Sequence, residues 1–159
     1  MRDGEYIVSS SDLAGRITVV NDVLIEYSGY TEAELMGRQH NILRHPDMPR
    51  ALFWLIWETI KHGEDFQGYV KNLCKDGGFY WVHARISPQF DAEGHPTGYQ
   101  SVRRKPARRA VDKAAVLYQH MLAAEAAVAS ADAVAAGLQV LQAELAAQQL
   151  AYEQWVARL

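Results

Sequence analysis

The sequence predicts an α+β domain, a five-stranded antiparallel sheet with short helices gathered on one face, followed by a C-terminal helical extension. Three observations predict it. Two β-branched runs around a glycine turn open the chain, three strand-like runs close its first two thirds, and short capped helical segments fill the interval. After Pro106 the composition turns to Ala, Gln, Leu and Glu with no further proline, which divides a domain over residues 5–105 from a helical segment over residues 106–159.

Tyr6-Ile7-Val8-Ser9 and Arg16-Ile17-Thr18-Val19-Val20 flank Asp12-Leu13-Ala14-Gly15, a hairpin pattern of β-branched residues around a glycine turn. Asn21-Asp22 then caps a short helix, Val23 to Tyr27, which stops at Ser28-Gly29. Thr31-Glu32-Ala33-Glu34 is a capping box: the threonine hydroxyl and the carboxylate three residues on satisfy each other's orphan N–H groups, and Gly37 closes that helix.

The densest polar stretch follows, from Gly37 to Pro49. It places His40, Asn41, Arg44, His45 and Asp47 among few apolar residues and breaks on Pro46 and Pro49, so it reads as the wall of a ligand pocket. From Ala51 a longer helix begins, with Asp47 as its cap. Leu52, Leu55, Ile56, Thr59 and Ile60 share one face, and Phe53 and Trp57 add a second apolar edge. Lys61-His62-Gly63 supplies the cationic last turn and the closing glycine.

Gly68 to Cys74, Phe79 to Ser87 and Gly98 to Arg104 read as strands, the first two joined by the turn Lys75-Asp76-Gly77-Gly78. Tyr80, Val82, Ala84 and Ile86 should face the core. In the preceding strand Val70, Asn72 and Cys74 share one face and Tyr69, Lys71 and Leu73 the other. Lysine is the residue least readily buried, so Asn72 points inward. A buried amide must find partners, and because it both donates and accepts it suits the edge of a heterocycle. Arg103-Arg104-Lys105-Pro106-Ala107-Arg108-Arg109 reads as a solvated basic linker.

In the tail, Val134, Leu138, Leu141, Leu145, Gln148, Tyr152 and Trp155 recur at alternating spacings of four and three, the seam of a coiled coil or helical hairpin. Ala129-Ser130-Ala131-Asp132 marks a break before it. Such a stripe predicts a homodimer through the C-terminal helices, with folding back on the sheet or an intramolecular hairpin as the alternative.

A formal net charge of -3 gives no broad attraction to nucleic acid or anionic lipid. No run approaches the ~20 apolar residues of a membrane span. The single cysteine, Cys74, and an N-terminus without a secretory layout make the cytoplasm the expected location. There is no phosphate loop, nucleophile elbow or divided carboxylate pair, so the chain is not expected to be an enzyme. No further Cys, His or carboxylate cluster at ligand spacing supports a metal site at His40 or His45.

Asn21-Asp22, Tyr27-Ser28-Gly29-Tyr30-Thr31, Glu34-Leu35-Met36-Gly37, the run His40 to Pro49, Val70-Lys71-Asn72, Lys75-Asp76-Gly77 and Tyr80-Trp81-Val82 together carry a resemblance. Over roughly residues 5–105 the chain resembles Per-Arnt-Sim (PAS) sensor domains, most closely the flavin-binding PAS domain of bacterial aerotaxis transducers. The resemblance implies the PAS fold, non-covalently bound FAD, and conversion of its redox state into a conformational signal carried by the C-terminal helices. It implies that Arg44, His45 and Asp47 support FAD binding with His40 and Asn41 beside them, that Trp57 packs along the cofactor, and that Asn72 bonds its polar edge. FMN or haem are the alternative cofactors, and a cofactor-free dimerisation module the alternative role. The related light-oxygen-voltage domains carry an Asn-Cys-Arg run, where this chain has Asn41-Ile42-Leu43. Cys74 is then a small core residue rather than a photochemical nucleophile.

Overall fold

The structure, a computed structural model, describes residues 1–159. In chain order it contains β1 (Tyr6–Ser11), β2 (Ile17–Val20), α1 (Asp22–Ser28), α2 (Glu32–Leu35), a 3-10 turn (His40–Leu43), α3 (Arg50–Lys61), β3 (Phe66–Leu73), β4 (Phe79–Phe90), β5 (Pro96–Arg104), α4 (Arg108–Ala126), α5 (Ala133–Gln148) and α6 (Tyr152–Arg158). These fall into two compact units. Met1–His45 with Thr59–Lys105 form the first, and Pro46–Glu58 with Pro106–Leu159 the second.

The first unit is built on the five-stranded antiparallel sheet, in the order β2-β1-β5-β4-β3. Its register aligns side chains on one face: Asn72 lies opposite Tyr80, Val70 opposite Val82 and Gly68 opposite Ala84. Continuing across, Ala84 pairs with Arg103 and Ile86 with Ser101, and these pair in turn with Ile7 and Ser9. Val82, Ala84 and Ile7 are buried on this face, as the alternation of β4 requires. The turn between β3 and β4 is drawn by Gly77 at φ 87°, and Asp76 Oδ1 accepts the Gly78 N–H at 2.8 Å.

Local capping places the two short helices as the sequence predicts. Asn21 precedes α1, and its Oδ1 accepts from Leu24 N at 3.1 Å and from Val8 N at 3.0 Å while its Nδ2 donates to the Tyr6 carbonyl at 2.8 Å. One side chain thus caps a helix and ties it to β1. Asn21→Ala is expected to cost about 2 kcal/mol, a lost cap plus lost backbone partners, read as a lower urea midpoint at unchanged m. At α2, Thr31 N donates to Glu34 Oε2 at 3.0 Å and Glu34 N to Thr31 Oγ1 at 3.3 Å, the complete capping box. Lys75 Nζ reaches the same carboxylate at 2.6 Å, and with Thr31 it holds Glu34 down to about 2.

The second unit contains the first nine residues of α3 and the three tail helices. Along α3, Ala51, Leu52, Ile56 and Ile60 are buried, whereas Leu55 and Thr59 are half-buried and Trp54 is exposed. The tail breaks between Ala126 and Ala133, around the expected Ala129–Asp132. α4 buries Ala110, Ala114, Leu117, Tyr118 and Met121, and α5 buries Ala133, Gly137 and Leu141, spaced i, i+4, i+8. The α5 contact edge therefore places two small residues, Ala133 and Gly137, ahead of Leu141, which lets the helices approach closely there, rather than following the four-three stripe alone.

That stripe is not continuous. Gln149 adopts the left-handed conformation at φ 54°, its N–H bonds the Ala146 and Leu145 carbonyls, and the helix ends there. A new helix restarts at Tyr152, with Ala151 N bonded to Gln154 Oε1 at 3.0 Å. No glycine or proline announces the break. Leu141 and Trp155 are buried within the chain, while Gln148 is exposed. No helix is long and apolar enough to cross a membrane.

Candidate functional site: a buried polar band on the sheet

Besides Ser101, four polar side chains occupy the inner face of the sheet where apolar residues would ordinarily sit. Ser9, Asn72 and Arg103 are each less than a tenth exposed, at 1%, 5% and 3%, and Tyr80 is mostly enclosed beside them. They come from β1, β3, β5 and β4 respectively, brought together by register alone.

Three atoms of this band have no hydrogen-bond partner: Asn72 Nδ2, Tyr80 OH and Arg103 Nε. Each can donate. An unpaired buried polar atom costs about 1–3 kcal/mol, so three on one face of a small sheet is a concentrated expense. Arg103 adds a charge, since no carboxylate pairs with it, and burial, opposed by the neighbouring Tyr80, lowers its guanidinium to about 10. Burial also pushes the Tyr80 phenol upward, opposed by the neighbouring Arg103 cation. Asn72 and Tyr80 are cross-strand neighbours, but no hydrogen bond of normal geometry joins the phenol to the amide.

The other end of Arg103 is anchored. Its Nη2 donates to Ser9 Oγ, which lies 2.9 Å from His40 Nε2, and the same guanidinium nitrogen stands 3.4 Å from that ring nitrogen. With a cation on that side, His40 Nε2 serves as the acceptor and the proton sits on Nδ1, an assignment that follows from the network. Burial, and then the Arg103 charge, push the imidazole down to about 3. His40 is neutral here at any physiological pH.

A pH dependence follows. In the unfolded chain His40 protonates near its ordinary 6.5, in the folded chain near 3, so between those values the unfolded state binds the extra proton. Stability is full above 6.5 and falls as pH drops toward 3. Burial lowers His83 as well, and it contributes with the same sign. Urea midpoints should decline between pH 7 and pH 5, where carboxylates are still ionised, and the decline should be shallower in His40→Asn.

Asn41 is exposed on the 3-10 turn, its carbonyl accepting the Arg44 N–H at 2.9 Å. Arg44 is half-buried, and its backbone forms an isolated antiparallel bridge with Asn72. The polar stretch is thereby stitched to the strand that carries the inward amide. His45 is half-buried and meets the edge of Phe79 with ring centroids 5.7 Å apart. Asp47, exposed ahead of α3, and Trp57, half-buried on it, belong to the second unit. Their part in a site on the sheet rests on the resemblance. Cys74 Sγ donates to the Tyr27 carbonyl at 3.2 Å and burial raises its thiol, which suits a packed residue and not a nucleophile.

Arg103 corrects the expectation of a solvated basic linker. β5 runs to Arg104, so Tyr99, Ser101 and Arg103 alternate inward while Gln100 and Arg104 point out. That alternation was the signal in the sequence, hidden by the surrounding basic residues. The sequence pattern likewise places Ser9 and Tyr80 on strands without a role, because only the strand order brings them beside Arg103.

A family model described as the PAS fold matches residues 17–103, more than half of the chain. The aerotaxis receptor of Escherichia coli K12 is 41% identical over 119 residues, which cover 75% of this chain and 23% of the receptor. The nitrogen fixation regulatory protein of Klebsiella pneumoniae is 27% identical over 97 residues, 61% of this chain and 20% of that protein. The chain thus spans a quarter or less of the length of these curated relatives. A solved light-oxygen-voltage domain, studied with a flavin analogue, superposes with a TM-score of 0.60 at 23% identity, over 68% of this chain and 81% of its own. That likeness concerns the fold. The sheet order, the capped short helices and the matched span together establish that this chain belongs to the PAS family of sensor domains.

Proposed function

We propose that the polar band holds a flavin, FAD in the first instance, and that residues 5–105 are a redox sensor whose state is passed to the helices of residues 106–159. The observation that carries this reading is the set of three unpartnered buried donors, Asn72 Nδ2, Tyr80 OH and Arg103 Nε, aimed from adjacent strands at one face. A planar heterocycle rich in acceptors fits that donor set, and an uncompensated buried cation favours an electron-rich partner. The aerotaxis receptor's name supplies the same direction, a response to oxygen, and the similarity to it supports the taxis reading.

A bound flavin takes up and releases electrons and protons, which changes which of its ring atoms accept a hydrogen bond. The chain's own part is to register that change. Asn72 can present either its amide nitrogen or its oxygen by rotating about its last torsion, so it can exchange a donor for an acceptor without leaving the sheet. Arg103 cannot make that exchange and remains a fixed donor. An imbalance of one buried hydrogen bond, about 1–3 kcal/mol, shifts a two-state equilibrium by roughly ten- to a hundredfold. Arg44, bridged to Asn72 through the backbone, is the nearest element able to carry the change toward His45 and Pro46. A homodimer through the tail helices belongs to the same proposal.

Haem is the weaker alternative. Its axial ligand would need a free imidazole nitrogen, and His40 Nε2 already accepts from Ser9 with a guanidinium beside it, a surrounding that disfavours a metal cation. The absorption spectrum of purified protein, before and after incubation with FAD, discriminates. Flavin bands in the blue and near-ultraviolet that co-elute with the protein support the proposal, and a Soret band or persistent colourlessness overturns it.

A further inference from the structure

The first turn of α3 is held by three separate pieces of the tail, all within the second unit. Glu125, one residue from the end of α4, is 8% exposed, and its carboxylate accepts two backbone N–H groups: Arg50 N to Oε2 and Ala51 N to Oε1, each at 2.9 Å. These are orphan donors of the helix start, which an anion satisfies well because the peptide dipoles also favour negative charge there. Arg50 Nη1 donates to Ser130 Oγ at 2.8 Å in the α4–α5 connection. On α5, a Cβ at Gly137 would lie 2.5 Å from Glu125 Oε1 and 2.7 Å from Ala51 Cβ, so only glycine leaves room for the carboxylate.

Caps of this kind are ordinarily supplied by the residue just before the helix. Here Pro49 occupies that place, and the cap comes from 75 positions downstream. The consequence is mechanical: α3 cannot shift or unwind its first turn without breaking both Glu125 bonds or moving α4 with it. Its first turn follows directly in sequence from the His40–His45 stretch, with only Pro46 to Pro49 between.

We infer that Glu125 is a transmission latch, through which a displacement at the start of α3 is handed to α4 and α5. The inference deepens the proposed sensor reading and rests on it for the stimulus, while the latch itself rests on the three contacts above. It gives the tail a specific receiving residue rather than a diffuse route through the sheet.

The test uses the full chain as wild type and as Glu125→Gln, which keeps the side chain's shape but loses its charge and one acceptor. Two quantities are read: amide exchange at Arg50 and Ala51, and the rate of limited proteolysis at residues 127–132 with FAD bound, oxidised or reduced by dithionite. Wild type should show slow exchange at both amides and a proteolysis rate that changes on reduction. Glu125→Gln should bind FAD as wild type does, exchange at those amides about tenfold faster, and lose the response to reduction. Gly137→Ala, which displaces the same carboxylate from α5, is read identically and carries the test if Glu125→Gln does not fold. A variant whose tail still responds to reduction as wild type does overturns the latch, as does a wild-type tail indifferent to reduction with FAD bound. Failure of wild type to take up FAD defeats the flavin reading instead, and the amides then decide the latch: unchanged protection in both variants overturns it.

Discussion

Arg103→Met should bind FAD about ten- to a hundredfold more weakly than wild type, while the ligand-free protein unfolds at the same urea concentration or a higher one. The two expectations run in opposite directions for one reason. Arg103 is a buried cation with no carboxylate partner and an unpaired Nε, so the ligand-free fold bears its desolvation with little return. Methionine fills a similar volume without the charge and leaves only Ser9 and His40 to rearrange, and these can still bond each other across 2.9 Å. A ligand that accepts from the guanidinium loses a charge-assisted bond, worth about 1.5–3 kcal/mol, when the group is removed. Flavin fluorescence titration and urea unfolding read the two halves separately. A purely structural Arg103 would give the contrary pattern, with stability lost and affinity unchanged.

Leu141→Asp should destabilise the second unit by more than about 3 kcal/mol, well beyond the effect of Leu145→Asp. Leu141 is 4% exposed on the edge of α5 that also buries Ala133 and Gly137, whereas Leu145 is only half-buried. An aspartate at Leu141 gives up the burial of a large side chain and puts a carboxylate in its buried place. Urea unfolding followed by far-ultraviolet circular dichroism should show an early loss of helix in Leu141→Asp. Sedimentation on the same variants reads the dimer. If both substitutions left stability intact and dissociated a dimer equally, the buried edge of α5 would lie between chains and not within one.

What the sequence disclosed and what it withheld divide along the range of the interactions. The capping box at Thr31 and Glu34, the Asn21 cap and the Gly77 turn are complete within a few residues, and each stands where the local pattern puts it. The inward amide of Asn72 was legible because Lys71 fixed which face of β3 is wet. Arg103 was not. Its neighbours Arg104, Lys105, Arg108 and Arg109 are all exposed, and nothing but the register of β5 separates it from them. Glu125 gave no signal at all, since a cap normally precedes its helix and this one follows it by 75 positions. The seam of the tail departs from its spacing for a related reason. Spacing alone carried it from Leu145 through Gln148 to Tyr152, but the helix closes at Gln149 by a left-handed turn in a non-glycine residue. Propensity does not mark such a stop.

If the polar band holds the flavin, the unpartnered donors of the sheet are its hydrogen-bond partners. Side-chain nitrogen resonances of Asn72 Nδ2 and Arg103 Nε, followed while FAD is titrated into labelled protein, test it most directly. Both should shift in proportion to bound FAD, and their protons should exchange more slowly with water once hydrogen-bonded. FAD uptake that leaves both resonances where they were, with exchange unchanged, would move the binding site off the polar band.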